Sequence, residues 1–360
     1  ANRNEDWRER ERNSDLWSVN YRTGEMRQLT DRNGPDYAPS LSPDGSRLAY
    51  LGYEDRLMGY HNSQVSILDL NSGMITQLTE GLDRSIDWVE WAGNSRQLLI
   101  SFDDFGKRKL ASVDMEGDLR PLESDVGSAG ISRPYTSGDF TVSDDGAYAY
   151  TAGGPYRPAD VAVGHDDSAI RLTDLNADLL DHKTLGEVRE ISWRSSVGDH
   201  DIYGWLVTPP GFDEAQEYPL LLEIHGGPFT AYGPHFSTEV QLYAAAGYVV
   251  FYTNPRGSTS YGYEFANEIH HNYPSQDYDD LMSGVDAVID MGFIDEEQLF
   301  VTGGSGGGVL TAWIVGNTDR FAAAAVAKPV INWISHALYS DIPEGVTRYW
   351  FEQLPWEDFD

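Results

Sequence analysis

A glycine-rich motif around one serine is the strongest sign of chemistry in this sequence. It reads Gly303-Gly304-Ser305-Gly306-Gly307 and lies between two apolar runs, Leu299–Thr302 and Val309–Val315. The first run predicts a short strand, and the second predicts a helix. A G-x-S-x-G sequence between a strand and a helix is typical of the sharp turn that exposes a nucleophilic serine. The motif therefore predicts covalent catalysis by Ser305.

The glycines on either side of Ser305 have a steric reason to be there. Side chains at Gly303 and Gly307 would collide with the adjoining strand and helix. The start of the helix also places backbone N–H groups beside the serine, where they can stabilise negative charge. A phosphate-binding loop would need a Lys-Ser or Lys-Thr pair, which does not follow this motif. A glycine-rich loop that only turns the chain is the remaining alternative.

Two further motifs follow predicted strands on the same presumed edge of the sheet. His225-Gly226-Gly227-Pro228 follows Leu220–Ile224, and Asn254-Pro255-Arg256-Gly257-Ser258-Thr259-Ser260-Tyr261-Gly262 follows Tyr248–Thr253. A glycine turn can direct a backbone N–H towards an oxyanion, and the hydroxyl of Tyr261 could donate to the same oxyanion. Each motif alone is also compatible with an ordinary turn. Their occurrence together, ahead of the serine motif, favours a functional site.

Residues 185–360 alternate between predicted strands and predicted helices. Val240–Gly247 predicts one helix, and the apolar residues from Tyr278 to Ile289 recur at helical spacing with acidic residues opposite them. Gly292 ends that helix, and Ala322–Ala327 predicts the strand that follows the serine motif. This alternation predicts a mostly parallel, doubly wound sheet with helices on both faces.

Residues 1–184 contain a weak repeat of roughly 50 residues, which lies within the range of β-propeller blades. Each repeat predicts strands around polar turns, where Asp-Gly or Gly-Asn pairs supply the left-handed backbone of tight hairpins. About three units are present, fewer than the roughly four blades of a closed propeller, so we expect an incomplete all-β propeller domain. The segment Asp87–Trp91 could resemble an acidic site for a substrate amine, but its apolar residues favour a blade strand.

The order of the three motifs resembles the prolyl oligopeptidase family, and in particular its acylaminoacyl-peptidase branch. The resemblance implies the N-terminal part of an α/β-hydrolase domain over residues 185–360, preceded by a partial β-propeller over residues 1–184. It also implies a serine peptidase that acts on short peptides. The combination of motifs is far more specific than the serine motif alone.

The resemblance also assigns roles to residues of the motifs. Ser305 would attack the substrate carbonyl, and the N–H of Gly306 would contribute to the oxyanion hole. Gly227 or Tyr261 would supply the second donor. Gly306 departs from the family pattern, because many relatives carry tyrosine at this position. A backbone N–H survives that difference, but one wall of the substrate pocket would be lost.

The base and the carboxylate that a serine nucleophile needs are not evident. In this fold both follow the serine, the acid before the histidine. After Ser305 the only histidine is His336, and the only acid between them is Asp319, a spacing that leaves no room for the intervening strands. We therefore expect the catalytic aspartate and histidine beyond Asp360, in a longer chain, and no activity from residues 1–360 alone.

Two other functions would use the same residues. A carboxylic-ester hydrolase of the same fold would share the serine and its oxyanion donors. A non-catalytic propeller scaffold with a decayed hydrolase half is a further alternative. The intact motif around Ser305 argues against decay, because the serine and its glycines would be lost first.

Composition excludes several partners and cofactors. The formal net charge of −33 opposes binding to nucleic acid, because phosphate binding requires a basic surface. No apolar run reaches the length of about 18 residues that a membrane helix needs. Cysteine is absent and His270-His271 with Asp277 lacks metal-ligand spacing, so we expect no metal and no other cofactor. The sequence begins at Ala1 without a signal-like segment, which leaves a cytoplasmic or periplasmic location open.

Overall fold

The computed structural model describes residues 1–3, 12–128, 130–165, 168–340, 348–351, 353 and 356–357. The first half of the chain forms antiparallel strands and one short helix, α1 (Ala177–Leu180). The strands are β1 (Trp17–Val19), β2 (Met26–Gln28), β3 (Asp36–Leu41), β4 (Arg47–Gly52), β5 (Gln64–Asp69), β6 (Ile75–Gln77), β7 (Ile86–Trp91), β8 (Gln97–Asp104), β9 (Lys107–Asp114), β10 (Leu119–Val126), β11 (Phe140–Val142), β12 (Tyr148–Gly154), β13 (Arg157–His165) and β14 (Ser168–Arg171).

These strands pair mostly with their neighbours in the sequence. Strands β1 and β2 form a hairpin, and β3 to β6 form a four-stranded sheet. Strands β7 to β14 form an eight-stranded sheet, in which β10 meets β12 only at the pair Val126 and Ala152. The eight strands thus divide into two antiparallel units of four. The strand–turn–strand repeats are confirmed, whereas the propeller arrangement of the units stays a prediction.

The tight turns of this half use left-handed residues, as the Asp-Gly pairs predict. Gly45 and Gly146 have φ angles of 73° and 88°. In the turn with the Gly93-Asn94 pair, the left-handed residue is Ser95, with φ of 54°. Gly93 instead permits a close approach, because a Cβ atom there would lie 2.0 Å from the carbonyl oxygen of Asp144. The left-handed role predicted for this pair is therefore wrong.

The segment Asp87–Trp91 lies in strand β7, as its apolar residues predict. The side chains of Val89 and Trp91 are buried in a core shared by the four-stranded sheet β3–β6 and the eight-stranded sheet β7–β14. The carboxylate of Asp87 is 2.6 Å from a guanidinium nitrogen of Arg108 on β9. The strand prediction is confirmed, and the carboxylate of Asp87 forms an ion pair with Arg108.

The second half of the chain forms one six-stranded sheet with helices on both faces. The strands are β15 (Val188–Arg194), β16 (Asp201–Val207), β17 (Tyr218–Ile224), β18 (Val249–Asn254), β19 (Ile294–Gly304) and β20 (Ala323–Ala327). The helices are α2 (Thr238–Ala245), α3 (Tyr263–Asn267), α4 (Asp277–Ile289), α5 (Gly306–Asn317) and α6 (Trp333–Tyr339).

The order of strands in this sheet is β15-β16-β18-β17-β19-β20. Strand β16 runs antiparallel to β15 and β18, whereas the pairs β17–β18, β17–β19 and β19–β20 are parallel. The carboxyl ends of β17, β18 and β19 therefore meet at one edge of the sheet. The three motifs of the sequence follow these three strands, so the fold brings them together.

Alternating residues of the strands divide the core into two layers. Leu206 and Phe251 pack with α4 and α5 on one face of the sheet. Trp205 and Val250 pack with α2 on the other face. This double burial explains why the central strands are almost continuously apolar. The mostly parallel, doubly wound sheet is confirmed.

The bounds of the predicted elements agree closely with the structure, with some exceptions. The predicted helix over 278–289 is α4, and Gly292 beyond it has φ of 88°. Strand β19 begins at Ile294, five residues before the predicted Leu299. The short helices α3 and α6 have no predicted counterpart. Among the described residues, no helix is long and apolar enough to cross a membrane.

Candidate active site

Ser305 lies on the turn between strand β19 and helix α5. Its backbone has φ of 58° and ψ of −117°, a conformation that costs energy for any residue with a side chain. The N–H of Ser305 donates to the carbonyl oxygen of Ala327 on β20, at 3.0 Å, and this bond holds the turn against the neighbouring strand. Ser305 is exposed. The geometry is that of a nucleophile held in a strained turn.

The glycines around Ser305 are required by contacts with backbone. A Cβ atom on Gly303 would lie 2.5 Å from the carbonyl oxygen of Gly307. A Cβ atom on Gly307 would lie 2.1 Å from the carbonyl oxygen of Ile224 on β17. Neither oxygen belongs to a side chain that could rotate away. The steric prediction for these two glycines is confirmed.

Gly306 and Gly227 face each other across the site. A Cβ atom on Gly306 would lie 3.0 Å from the carbonyl oxygen of Gly227 and 3.2 Å from its nitrogen. A larger residue at position 306 would therefore require the Gly227 turn to shift. The absence of a side chain at Gly306 fits this close approach between two backbone segments.

Several N–H groups of this region have no acceptor among the described residues. The N–H of Gly226 donates to the hydroxyl of Tyr135 at 2.8 Å. In the part of the chain that the structure describes, the N–H groups of Gly227 and Gly306 donate to no acceptor. Unpaired backbone donors are costly unless a solvent molecule or a ligand accepts from them. Two free donors beside an exposed serine are what an oxyanion hole requires.

Tyr261, the alternative second donor, has other contacts. Its hydroxyl accepts from the side-chain amide of Asn254 at 3.0 Å. Its ring stacks on Tyr203 and meets Phe105 edge-on. None of the contacts that the structure describes for Tyr261 reaches the serine turn. Of the two donors that the sequence offers, the geometry favours Gly227.

His225 holds its turn in place and is too buried to exchange protons with a substrate. Its two ring nitrogens lie 2.7 Å from the carbonyl oxygen of Gly226 and 2.9 Å from the hydroxyl of Ser258. Burial lowers the pKa of His225 to about 4, so the ring is neutral at pH 7. His225 therefore joins the His-Gly-Gly-Pro turn to the motif after β18.

The motif after β18 owes its conformation to two residues whose roles the sequence alone did not reveal. The side-chain amide of Asn254 accepts from the N–H of Tyr232 and donates to its carbonyl oxygen, both at 2.8 Å. The guanidinium of Arg256 bonds the fully buried carboxylate of Asp280 on α4, at 2.8 and 2.9 Å. A buried arginine–carboxylate pair with this geometry restrains both elements strongly.

An arginine with two carboxylate partners lies next to the serine turn. A Cβ atom on Gly304 would be 3.1 Å from the guanidinium of Arg133. Arg133 is 2.9 Å from the carboxylate of Glu239 and 3.3 Å from that of Glu223, which is 1% exposed. Burial raises the pKa of Glu223 to about 7, while hydrogen bonds from Arg133 lower the pKa of Glu239. The two carboxylates therefore respond differently to pH.

The replacement Glu223→Gln should remove part of the pH dependence of stability. Because the folded-state pKa of Glu223 is raised from 4.5 to about 7, its contribution is fully present below about pH 4.5 and is lost as the pH rises through 7. Between pH 5 and pH 8 the parent should lose up to about 3 kcal/mol of unfolding free energy that the variant retains. Urea denaturation at both pH values measures the difference.

Glu239→Gln is the matched control, because it removes the other carboxylate of Arg133. The pKa of Glu239 is lowered, so this acid is ionised at both pH values. Its replacement should reduce stability equally at pH 5 and pH 8. A pH dependence in Glu223→Gln identical to that of the parent would show that Glu223 does not titrate in this range.

The described residues provide no base for Ser305. No hydrogen bond joins the hydroxyl of Ser305 to a histidine within the described ranges. His336 lies on α6, where its ring contacts Trp333, and no contact with Ser305 is described. No group of acids and histidines in the described part could hold a metal ion. The catalytic aspartate and histidine expected beyond Asp360 therefore stay a prediction.

The sheet and the turn together define a class of protein. A mostly parallel sheet covered by helices, with a strained serine between a strand and a helix, is the arrangement of the α/β-hydrolases. Residues 234–360 match the model of the prolyl oligopeptidase family. The resemblance inferred from the three motifs is thus confirmed.

Other known proteins are similar over most of the chain. The uncharacterized peptidase YuxL of Bacillus subtilis is 33% identical over 320 residues, which cover 83% of this chain and 47% of the relative. Dipeptidyl-peptidase 5 of Schizosaccharomyces pombe is 25% identical over 356 residues, or 95% of this chain and 50% of the relative. The chain therefore spans about half the length of the curated relatives it matches.

A solved structure has the same fold. It is an acylaminoacyl peptidase in complex with Z-Gly-Gly-Phe-chloromethyl ketone, with a TM-score of 0.84 at 23% identity. The match covers 97% of this chain and 53% of that chain. The similarity extends through both halves, so the antiparallel sheets and the parallel sheet occur together in that protein as well.

Proposed function

We propose that this chain supplies the nucleophile and the oxyanion hole of a serine peptidase that hydrolyses short peptides. The observation that carries the proposal is that the N–H groups of Gly227 and Gly306, beside the strained Ser305, have no acceptor within the described ranges. Acyl transfer is the chemistry that needs this combination, because an oxyanion develops next to the attacked carbon.

In the proposed reaction, the hydroxyl oxygen of Ser305 attacks the carbonyl carbon of a peptide bond. A base takes the hydroxyl proton and then delivers it to the amine as the C–N bond breaks, which leaves an ester on Ser305. Water then attacks the ester and restores the serine. The N–H groups of Gly227 and Gly306 stabilise the oxyanion in both steps.

The base and its carboxylate are proposed to follow Asp360 in the sequence of the whole protein. The lack of a histidine partner for Ser305 among the described residues supports this proposal. We also propose that residues 185–360 are the first part of the hydrolase domain and that residues 1–184 are part of a β-propeller. The two four-stranded units and the four-stranded sheet support the second assignment.

A short peptide is the proposed substrate. Relatives with peptidase names and a structurally similar acylaminoacyl peptidase with a peptidyl inhibitor support this class. A propeller above the site would admit only small substrates.

The proposal is tested on the protein that the complete reading frame encodes. The rates of hydrolysis of N-acylated and free dipeptidyl anilides are compared with those of a simple carboxylic ester. A peptidase should hydrolyse at least one peptide substrate with a kcat/KM that exceeds the ester value. Hydrolysis of the ester alone would identify an esterase, and reaction with neither substrate would favour a non-catalytic scaffold.

A further inference from the structure

A segment of the first half of the chain is built into the candidate active site. The N–H of Gly233 donates to the carbonyl oxygen of Pro134 at 2.8 Å, and the N–H of Thr136 donates to the carbonyl oxygen of Ala231 at 3.0 Å. Tyr135 and Tyr232 thus pair as an isolated antiparallel bridge between the two halves. The segment 131–136 therefore extends the backbone hydrogen bonding of the turn that follows β17.

The same segment supports helix α2 and the serine turn. The carbonyl oxygens of Ile131 and Ser132 accept from the N–H groups of Thr238 and Glu239, in the first turn of the helix. The guanidinium of Arg133 bonds the carboxylate of Glu239 as well. These contacts hold the backbone of the segment on both sides of Tyr135.

Tyr135 contacts the glycine turn that lies beside the nucleophile. Its hydroxyl accepts from the N–H of Gly226 at 2.8 Å, and its ring lies 4.7 Å from that of Tyr232. A Cβ atom on Gly226 would be 3.3 Å from the hydroxyl of Tyr135 and 3.3 Å from the Cβ of Ser305. Tyr135 also lines a cavity of about 420 Å³ between the two halves.

The bond to Gly226 determines which N–H of the glycine turn is available. Gly226 and Gly227 are adjacent, and Tyr135 engages the first of their two N–H groups. The second N–H, that of Gly227, lies beside Gly306 and has no acceptor among the residues that the structure describes. Without this acceptor, the turn could rotate its first N–H towards solvent and displace the second.

We propose that Tyr135 is a positioning residue for the oxyanion hole, contributed by the antiparallel half of the chain. It acts through the hydrogen bond from Gly226, which orients the N–H of Gly227. This inference rests on the proposed function, since it assigns Tyr135 to the same site. It also predicts that the antiparallel half is required for catalysis itself and not only for access of substrates.

The replacement Tyr135→Phe removes the acceptor and keeps the ring against Tyr232. In the protein encoded by the complete reading frame, kcat should fall about tenfold to a hundredfold, while KM changes less than about threefold. Amide exchange at Gly226 should accelerate about tenfold, because its N–H loses its acceptor. Exchange is followed by mass spectrometry of peptides that contain residues 225–231.

Tyr156→Phe is the matched control. The hydroxyl of Tyr156 also accepts a backbone N–H across the two halves, from Val188 on β15 at 3.1 Å, but at the far edge of the sheet from the serine. Its loss should leave kcat and exchange at Gly226 unchanged. If Tyr135 had only a structural role, Tyr135→Phe and Tyr156→Phe would both have a lower melting temperature, and neither would show a selective loss of kcat.

Two results would overturn the proposed role of Tyr135, and a third would contradict only the proposed peptidase function. A parental kcat in Tyr135→Phe would show that Tyr135 does not position the oxyanion hole. Unchanged exchange at Gly226 would show that the hydrogen bond does not orient the turn, and this measurement needs no activity. If the parent protein hydrolyses no substrate while exchange at Gly226 accelerates as expected, the proposed function fails and the positioning of the turn stands.

Discussion

Replacement of Ser305 by alanine is expected to abolish covalent labelling by a fluorophosphonate probe. These probes phosphonylate a serine whose hydroxyl is activated and whose oxyanion is stabilised, and alanine has no oxygen to attack. The rate of peptide hydrolysis should fall by about 10⁵-fold or more, because the serine and its partners act as a unit. Labelling is measured on the protein from the complete reading frame, and the labelled peptide is identified by mass spectrometry.

A suitable control is Ser283→Ala. Ser283 lies on helix α4 under the same sheet, and its hydroxyl donates only to carbonyl oxygens of its own helix, those of Asp279 and Asp280. This variant should be labelled as strongly as the parent. Labelling that persists in Ser305→Ala would mean that another residue is the nucleophile, and the role of Ser305 would have to be abandoned.

Replacement of Gly307 by alanine is expected to destabilise the hydrolase half by about 3 kcal/mol and to disrupt the serine turn. The added Cβ would lie 2.1 Å from the carbonyl oxygen of Ile224 and 2.7 Å from that of His225. Both oxygens belong to backbone at the end of strand β17, so relief requires that α5 move away from the sheet. Urea denaturation followed by tryptophan fluorescence measures the loss of stability.

Gly316→Ala tests the same substitution on the same helix without the collision. Gly316 is exposed near the end of α5, and no atom lies within 4 Å of an added Cβ. Alanine there should increase stability by up to about 1 kcal/mol, because it restricts the unfolded chain and favours helix. Equal stability of the two variants would refute the steric role of Gly307.

Local patterns were sufficient to predict the turn at Ser305 and the elements on either side of it. The turn at Ser305 depends on residues within a few positions of it: apolar residues that form β19, glycines that avoid collisions, and a helix-forming run after them. Helical spacing likewise predicted α4 to within one residue of its observed start at Asp277. Such features can be predicted from sequence, because steric limits and periodic burial act over short distances along the chain.

The connections between the motifs could not be predicted in the same way. The amide of Asn254 holds the backbone of Tyr232, and Arg256 pairs with the buried Asp280 on a helix of the opposite layer. The two residues of each pair are more than twenty positions apart in the sequence, and no periodic pattern of residue types marks either pair. Only the folded arrangement shows which polar groups meet, because burial of both partners makes their pairing necessary.

By itself, then, the sequence determined that Ser305 stands on a strand–turn–helix motif of a doubly wound sheet, with the motif of Gly227 beside it. The tertiary structure decided which donors are free. Tyr135 lies 91 residues before Gly226 and accepts its N–H, whereas the N–H groups of Gly227 and Gly306 have no acceptor in the part of the chain that the structure describes. The physical reason is that a glycine turn has several accessible conformations, and contacts from distant strands select one of them.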